Sequence, residues 1–183
     1  MTTDLTPKQY AAEGRGAYQR KEYAAAGRAF TSAAQGYLAA GEALSAAEMR
    51  NNASVAFLQA KQSGAALQAV EGTAEIFAAA GDTRRQAMAL GNRAAALESL
   101  DRLEEALADY ELAAELFKQI REVDLRANLM QSLSALQLRM GRQLEAVVTM
   151  QAGLEGLKRP NAAQRLAKRI LQSPLNMLKP PTD

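Results

Sequence analysis

The feature that most constrains this chain is a period of forty residues that runs through most of its 183 positions. Small side chains recur at two positions of each unit, and mostly large apolar side chains recur at two others. The four series are Gly14, Ser54, Ala94 and Ser134; Ala26, Ala66, Ala106 and Ala146; Phe30, Val70, Tyr110 and Met150; and Tyr37, Phe77, Phe117 and Leu157. Such self-similarity is typical of solenoids, in which one supersecondary unit is stacked several times.

Each unit is predicted to be a pair of helices. Alanine, the strongest helix former, supplies 40 of the 183 residues, and no segment alternates between apolar and polar residues beside a hairpin turn signal. Helix-ending glycines fall at two repeat ends, Gly41 and Gly81, and short turns fall midway, as at Asp101-Arg102. The sequence therefore predicts an all-α chain of eight helices, each about 16–18 residues long, paired as αα-hairpins. The hairpins are expected at about 7–41, 43–81, 83–121 and 123–159.

The small and aromatic positions carry a family resemblance. In the first repeat they are Gly14, Ala17, Tyr18, Tyr23, Ala26, Phe30 and Ala33, and in the third Leu90, Ala94, Leu97, Leu103, Ala106, Tyr110 and Ala113. This pattern resembles the tetratricopeptide repeat, in a variant whose helices are longer than the usual 34-residue unit allows. The resemblance implies a right-handed superhelical solenoid. HEAT and armadillo repeats are the alternatives, but an armadillo unit needs a third helix, and no proline occurs between Pro7 and Pro160 to kink a HEAT helix.

The segments that flank the repeats are predicted separately. Residues 1–6 and 180–183 are expected to be flexible ends. Residues 161–179 carry an apolar stripe that includes Leu166 and Ile170, and they are expected to form a capping helix and turn over the last repeat. Six basic residues against one acidic residue give 158–183 a charge of +5, whereas 1–157 carries −3.

The composition excludes most catalytic chemistry. The chain has no cysteine and no histidine, so the commonest nucleophile, general base and metal ligands are missing. Acidic pairs such as Glu104-Glu105 and the Asp109–Glu111 stretch are interpreted as a solvated helix face. We therefore expect no enzyme activity, no metal and no cofactor. No membrane-spanning run and no signal peptide is recognised, which predicts a cytoplasmic protein.

The predicted binding surface is the concave groove. In an αα solenoid the first helix of each hairpin lines this surface, so its side chains that are not needed for packing face a ligand. The candidate groove residues are Lys8, Arg15, Tyr18, Asn51, Asn52, Leu58, Gln59, Met88, Asn92, Glu98, Asn128, Gln131 and Arg139.

Two of these candidates, Asn52 and Asn92, lie one repeat apart, with Ser132 at the third place. An amide both donates and accepts hydrogen bonds, so such a row could hold a peptide backbone. The alternative is that the two amides bond across to neighbouring helices. The lysine, asparagine and arginine clamp of chaperone-binding tetratricopeptide proteins is not expected, because Asn52 alone matches it.

The sequence thus predicts a non-enzymatic scaffold whose groove binds a peptide or helical segment of another protein. The alternative is a module that forms homo-oligomers, for example through Leu175, Met177 and Leu178 at its C-terminal end. The basic residues of 158–183 could contact phosphates or an anionic membrane. Neither nucleic acid nor membrane is an expected partner, because a solvated face of the capping helix explains the same charges.

Overall fold

The protein is all-α, as predicted. A computed structural model describes residues 5–155, 157 and 165, and these residues contain no β-strand. The helices are α1 (Pro7–Gln19), α2 (Tyr23–Ala39), α3 (Ala43–Gln59), α4 (Ser63–Val70), α5 (Thr73–Ala79), α6 (Thr83–Ser99), α7 (Leu103–Gln119), α8 (Val123–Arg139) and α9 (Gln143–Leu154). The most extensive helix contacts join neighbours in the chain, as α1 with α2, α2 with α3 and α8 with α9, which is the pattern of helical hairpins in a solenoid.

The turns between helices recur with great regularity. A residue with positive φ stands every twenty positions, at 21, 41, 61, 81, 101, 121 and 141. At Gly41 the amide donates to the carbonyl of Leu38 at 3.0 Å, and the next amide, of Glu42, donates to that of Tyr37 at 2.9 Å. This pair of bonds is the Schellman motif, which satisfies the last carbonyls of a helix. The helix ends therefore recur as regularly as the packing positions do.

A lysine occupies one of these left-handed positions, which a glycine would adopt without strain. Lys61 has a φ of 59° and is exposed. We expect Lys61→Gly to raise the free energy of unfolding by about 0.5–1 kcal/mol, because a side chain in this region crowds the following carbonyl. Thermal unfolding of the two proteins measures the difference. Glycine at the neighbouring exposed position Gln62, where φ is −101°, should instead leave stability unchanged or lower it.

One of the eight predicted helices is divided into two. The second helix of the second repeat ends at Val70 and begins again at Thr73, with Gly72 between them at a φ of 75°. The described residues therefore contain nine helices. The Thr73 hydroxyl donates to the Val70 carbonyl at 2.7 Å in a buried position, which satisfies one of the carbonyls that the break frees.

A side chain from the preceding helix stabilises the same break. The Arg50 guanidinium on α3 donates through Nε to the carbonyl of Ala69 at 3.0 Å, and through Nη2 to the carbonyl of Glu71. A cation at the C-terminal end of a helix is also favoured by the helix dipole. The break in this helix is therefore a hydrogen-bonded feature of the second repeat.

By its contacts the chain divides into two units, Met1–Leu116 and Phe117–Asp183. The first unit packs its helices through small residues. Ala26, Ala66 and Ala106 of the forty-residue series are all fully buried, and Phe30 lies against Gly14, where an added Cβ would meet the ring at 2.8 Å. Close helix crossings of this kind need small residues opposite large ones.

In the second unit, small residues likewise lie where α8 packs on α9. The Ser134 hydroxyl is buried and donates to the carbonyl of Ala146 at 2.8 Å. On α9, Gly153 is buried, and an added Cβ there would meet the Cβ of Met130 at 2.9 Å. Both Ser134 and Ala146 belong to the predicted periodic series, so this hairpin uses the predicted register.

The predicted end segments are only partly described. Thr6 caps α1, because its hydroxyl accepts from the amide of Gln9 while the Gln9 side chain accepts from the amide of Thr6. Residues 1–4, the tail 180–183 and the predicted capping helix 161–179, apart from Arg165, lie outside the described residues.

Candidate functional site

A shallow depression lies between α1 and α3, where the sequence predicts the groove. Its volume is about 290 Å³. The lining comprises Lys8, Ala11 and Arg15 of α1, Tyr37 of α2, and Ser45, Glu48 and Met49 of α3. Lys8 and Arg15 lie seven residues apart on one face of α1, which is two helical turns. The structure therefore brings two of the predicted groove cations together beside Glu48.

The exposed candidates are long polar side chains. Lys8, Arg15 and Gln59 are exposed in the first unit, and Asn128, Gln131 and Arg139 are exposed on α8 in the second. On α3, Glu48 forms a long ion pair of 3.6 Å with Arg85 of α6.

Other candidates are half-buried and contribute to packing. Tyr18 packs edge-on against Tyr23 with 5.2 Å between ring centroids, and Leu58 packs against the core of the first unit. The Sδ of Met88 lies 3.8 Å from Nη1 of Arg84. Glu98 accepts a hydrogen bond from the Tyr110 hydroxyl at 3.3 Å. These four candidates therefore take part in contacts within the protein.

The amides of the groove are used between helices. The Asn92 side chain on α6 donates to the side-chain Oδ1 of Asn51 on α3 at 2.9 Å, and Asn51 is buried, with 8% of its surface exposed. For Asn92 this is the interhelical role that the sequence left open as the alternative. Asn52 is half-buried, and it stays a candidate for ligand contact.

An ion pair that the sequence analysis missed joins α6 to α7. Arg93 donates through Nε and Nη2 to the two carboxylate oxygens of Asp109, at 2.7 and 2.8 Å, and through Nη1 to Glu75 of α5 at 3.2 Å. Asp109 is 8% exposed, so its assignment to a solvated helix face is wrong. The ion pair could not be predicted from the sequence alone, because Arg93 lies 16 residues from Asp109 and on another helix. Glu105, on the same helix, is exposed, as predicted.

The pKa shifts follow from these pairs. The hydrogen bonds that Arg93 donates to the Asp109 carboxylate raise the pKa of Arg93, against a smaller opposing effect of burial. The hydrogen bond from Arg102 lowers the pKa of Glu105, and the one from Arg20 lowers the pKa of Glu22. All three groups stay charged at neutral pH, so none is tuned for proton transfer.

Two further properties of the described residues bear on function. No group of three or more acidic side chains there is placed to hold a metal ion. Within the same part of the chain, no helix combines the length and hydropathy needed to cross a bilayer.

The helical architecture agrees with one family. The model of the soluble NSF attachment protein family, SNAP, matches residues 15–152, which is well over half of the chain. The chain belongs to the SNAP family. This is a family of protein-binding helical scaffolds that act as non-catalytic adaptors. The match supports the predicted helical-repeat architecture, while the narrower assignment to the tetratricopeptide repeat stays a prediction. No curated protein matches this chain.

Proposed function

We propose that this SNAP-family chain is a non-enzymatic scaffold that binds a segment of another protein in the groove lined by α1, α3 and α6. The family is named for attachment of NSF, and we infer that this chain likewise attaches to a protein rather than acting on a small substrate. The cytoplasmic location and the tetratricopeptide-type repeat predicted from the sequence belong to this proposal.

The observation that carries the proposal is the pair of exposed cations on α1. Lys8 and Arg15 point into one depression, and packing does not explain them, because both are exposed while Ala11 between them is buried. Exposed polar side chains around an apolar floor, here the buried Met49 and the half-buried Tyr37, are the usual anatomy of a protein-binding surface. The row of groove side chains then provides specificity along the ligand.

The test uses peptides selected from a displayed library of random sequences on the immobilised protein. We expect the selected peptides to bind the wild type and to lose about tenfold or more in affinity for the double variant Lys8→Glu with Arg15→Glu. The matched control reverses two exposed cations elsewhere, Arg28→Glu on α2 and Lys61→Glu in a turn. If the selected peptides bind the groove variant with the same affinity as the wild type, the proposal that they bind in the groove is contradicted.

Self-association is the second candidate, favoured by the exposed apolar side chains of α9. Leu144 is 85% exposed and Val148 is 66% exposed. The equivalent positions one repeat earlier hold Glu104 and Ala108, neither of which is a large apolar residue. Light scattering across a wide concentration range decides: a constant monomer mass leaves the groove as the working surface, and a dimer favours the second candidate. Leu175, Met177 and Leu178, the residues first suggested for this role, lie outside the described residues.

A further inference from the structure

A second pocket lies beside α3, and it shares no lining residue with the groove depression. Its volume is about 410 Å³, and α2, α3, α4 and α5 line it. A volume of this size is within the range of about 300–1,000 Å³ that small-molecule sites occupy. The pocket stands where the fourth predicted helix is broken, because Ala69 precedes the break and Ile76 follows it.

The walls of this pocket are largely apolar, and alanines form much of them. Alanines of three helices line it, at positions 34, 43, 46, 47, 65 and 69, together with Phe57 and Ile76. Methyl groups leave open space that larger side chains would fill, and an apolar space of this kind favours an aliphatic or aromatic occupant. Leu38 also lines the pocket and is 65% exposed, so an apolar surface continues from the pocket towards solvent.

The pocket has few polar groups, and its charge is positive. Among its described lining residues, Arg50 is the only one with an ionised side chain, beside the uncharged Thr31, Gln35 and Gln68. The nearest acidic residue in sequence to the break, Glu71, lines a different depression together with Arg102. The pocket therefore combines an apolar space with a positive charge that no acidic lining residue balances.

The guanidinium that supplies this charge is fixed in place. Arg50 donates to the carbonyls of Ala69 and Glu71, so it is held at the wall by the break itself. A cation that is positioned before a ligand arrives loses little conformational entropy on binding, which favours an anionic partner.

We propose that this pocket binds an amphiphilic carboxylate. The aliphatic chain of the ligand occupies the alanine-lined space, and its carboxylate pairs with the guanidinium of Arg50. The exposed amides of Gln35 and Gln68 are placed to hydrogen-bond the same head group. This site does not depend on the proposed groove, because the two surfaces are lined by different residues.

Isothermal titration with dodecanoate, below its micelle concentration, tests the proposal on the full chain. We expect saturable binding of one dodecanoate per protein, and weaker binding, by about tenfold or more, of the dodecyltrimethylammonium cation with the same chain length. Ala65→Phe, which places a ring in the pocket from α4, should weaken dodecanoate binding by a similar factor. Ala79→Phe is the matched control on an exposed part of α5 and should bind as the wild type does.

A variant at the mouth keeps the test decisive if Ala65→Phe fails to fold. Leu38 is exposed, so Leu38→Asp and Leu38→Asn should both fold, and the added carboxylate of Leu38→Asp should weaken dodecanoate binding more than the amide does. The proposal is overturned if folded wild-type protein shows no saturable binding, if the cation binds as tightly as dodecanoate, or if the aspartate and asparagine variants bind alike. None of these results would affect the groove proposal, whose peptides bind elsewhere.

Discussion

Asp109→Ala is expected to lower the free energy of unfolding by about 2–3 kcal/mol, the largest effect we predict for a polar residue of this chain. The substitution removes two charge-assisted hydrogen bonds and leaves the Arg93 guanidinium half-buried between α5 and α7. Arg93 keeps its bond to Glu75, and its side chain is 25% exposed, so the loss should be smaller than for a fully buried pair. Chemical denaturation measures it directly.

Glu75→Gln is the matched control for this ion pair. Glu75 is 64% exposed and forms the weaker contact with Arg93, at 3.2 Å. We therefore expect Glu75→Gln to lower the free energy of unfolding by less than about 1 kcal/mol. Equal losses for the two variants would contradict the assignment of Asp109 as the main partner.

The same ion pair predicts how the loss depends on alkaline pH. Because the pKa of Arg93 is raised in the folded state, the stabilisation is present below the unfolded-state pKa and is lost only as the pH rises through the folded-state pKa. Both pKa values lie above the pH at which proteins are studied. The cost of Asp109→Ala should therefore be the same at pH 7 and pH 9, as two denaturation curves would show.

Gly14→Ala is expected to destabilise the protein by about 1–2 kcal/mol, although alanine is intrinsically the better helix former. An added Cβ would lie 2.8 Å from Cδ1 and Cε1 of Phe30 and 3.0 Å from Cγ. Phe30 is 4% exposed, so its ring cannot move aside without disturbing the crossing of α1 and α2.

The control for Gly14 is a glycine of α4 with open space around it. An added Cβ on Gly64 meets nothing within 4 Å, so Gly64→Ala should stabilise the protein by up to about 1 kcal/mol through helix propensity alone. The two substitutions are chemically identical and should shift the midpoint of thermal unfolding in opposite directions. A stabilising Gly14→Ala would contradict the packing of α1 on α2 described above.

The forty-residue period was enough to predict the helical hairpins, because the same positions serve the same crossings in successive units. Ala26, Ala66, Ala106 and Ala146 are all buried in the structure. Several turns were also predictable, since Gly41 and Gly81 occupy the left-handed positions that end helices. The regular features of this fold therefore follow from local patterns that repeat.

The helix break could not be predicted from the same patterns. Gly72 marks it, but Gly14 and Gly27 lie inside unbroken helices, so a glycine alone does not locate a break. The deciding contact comes from Arg50, 19 residues before Ala69 and on another helix. A contact between distant residues of different types leaves no periodic trace in a single sequence.

The groove was predicted by register, and register does not show which polar residues bond to one another. Asn51 and Asn52 are adjacent and identical in type, yet Asn51 is buried against Asn92 while Asn52 is half-buried. The rotation of α3 about its axis decides between them. Similarly, Asp109 belongs to an acidic stretch, and its burial depends on where α6 places Arg93.

The central claim, that the groove binds a partner protein, is tested most directly by a photo-reactive amino acid inserted at single positions in cells. Benzoylphenylalanine at position 15 or 59, both exposed on groove helices, should form discrete covalent adducts with another protein. The same amino acid at position 28, exposed on α2, should form none. Adducts at position 28 and none at 15 or 59, or adducts only with a second copy of this chain, would contradict the account.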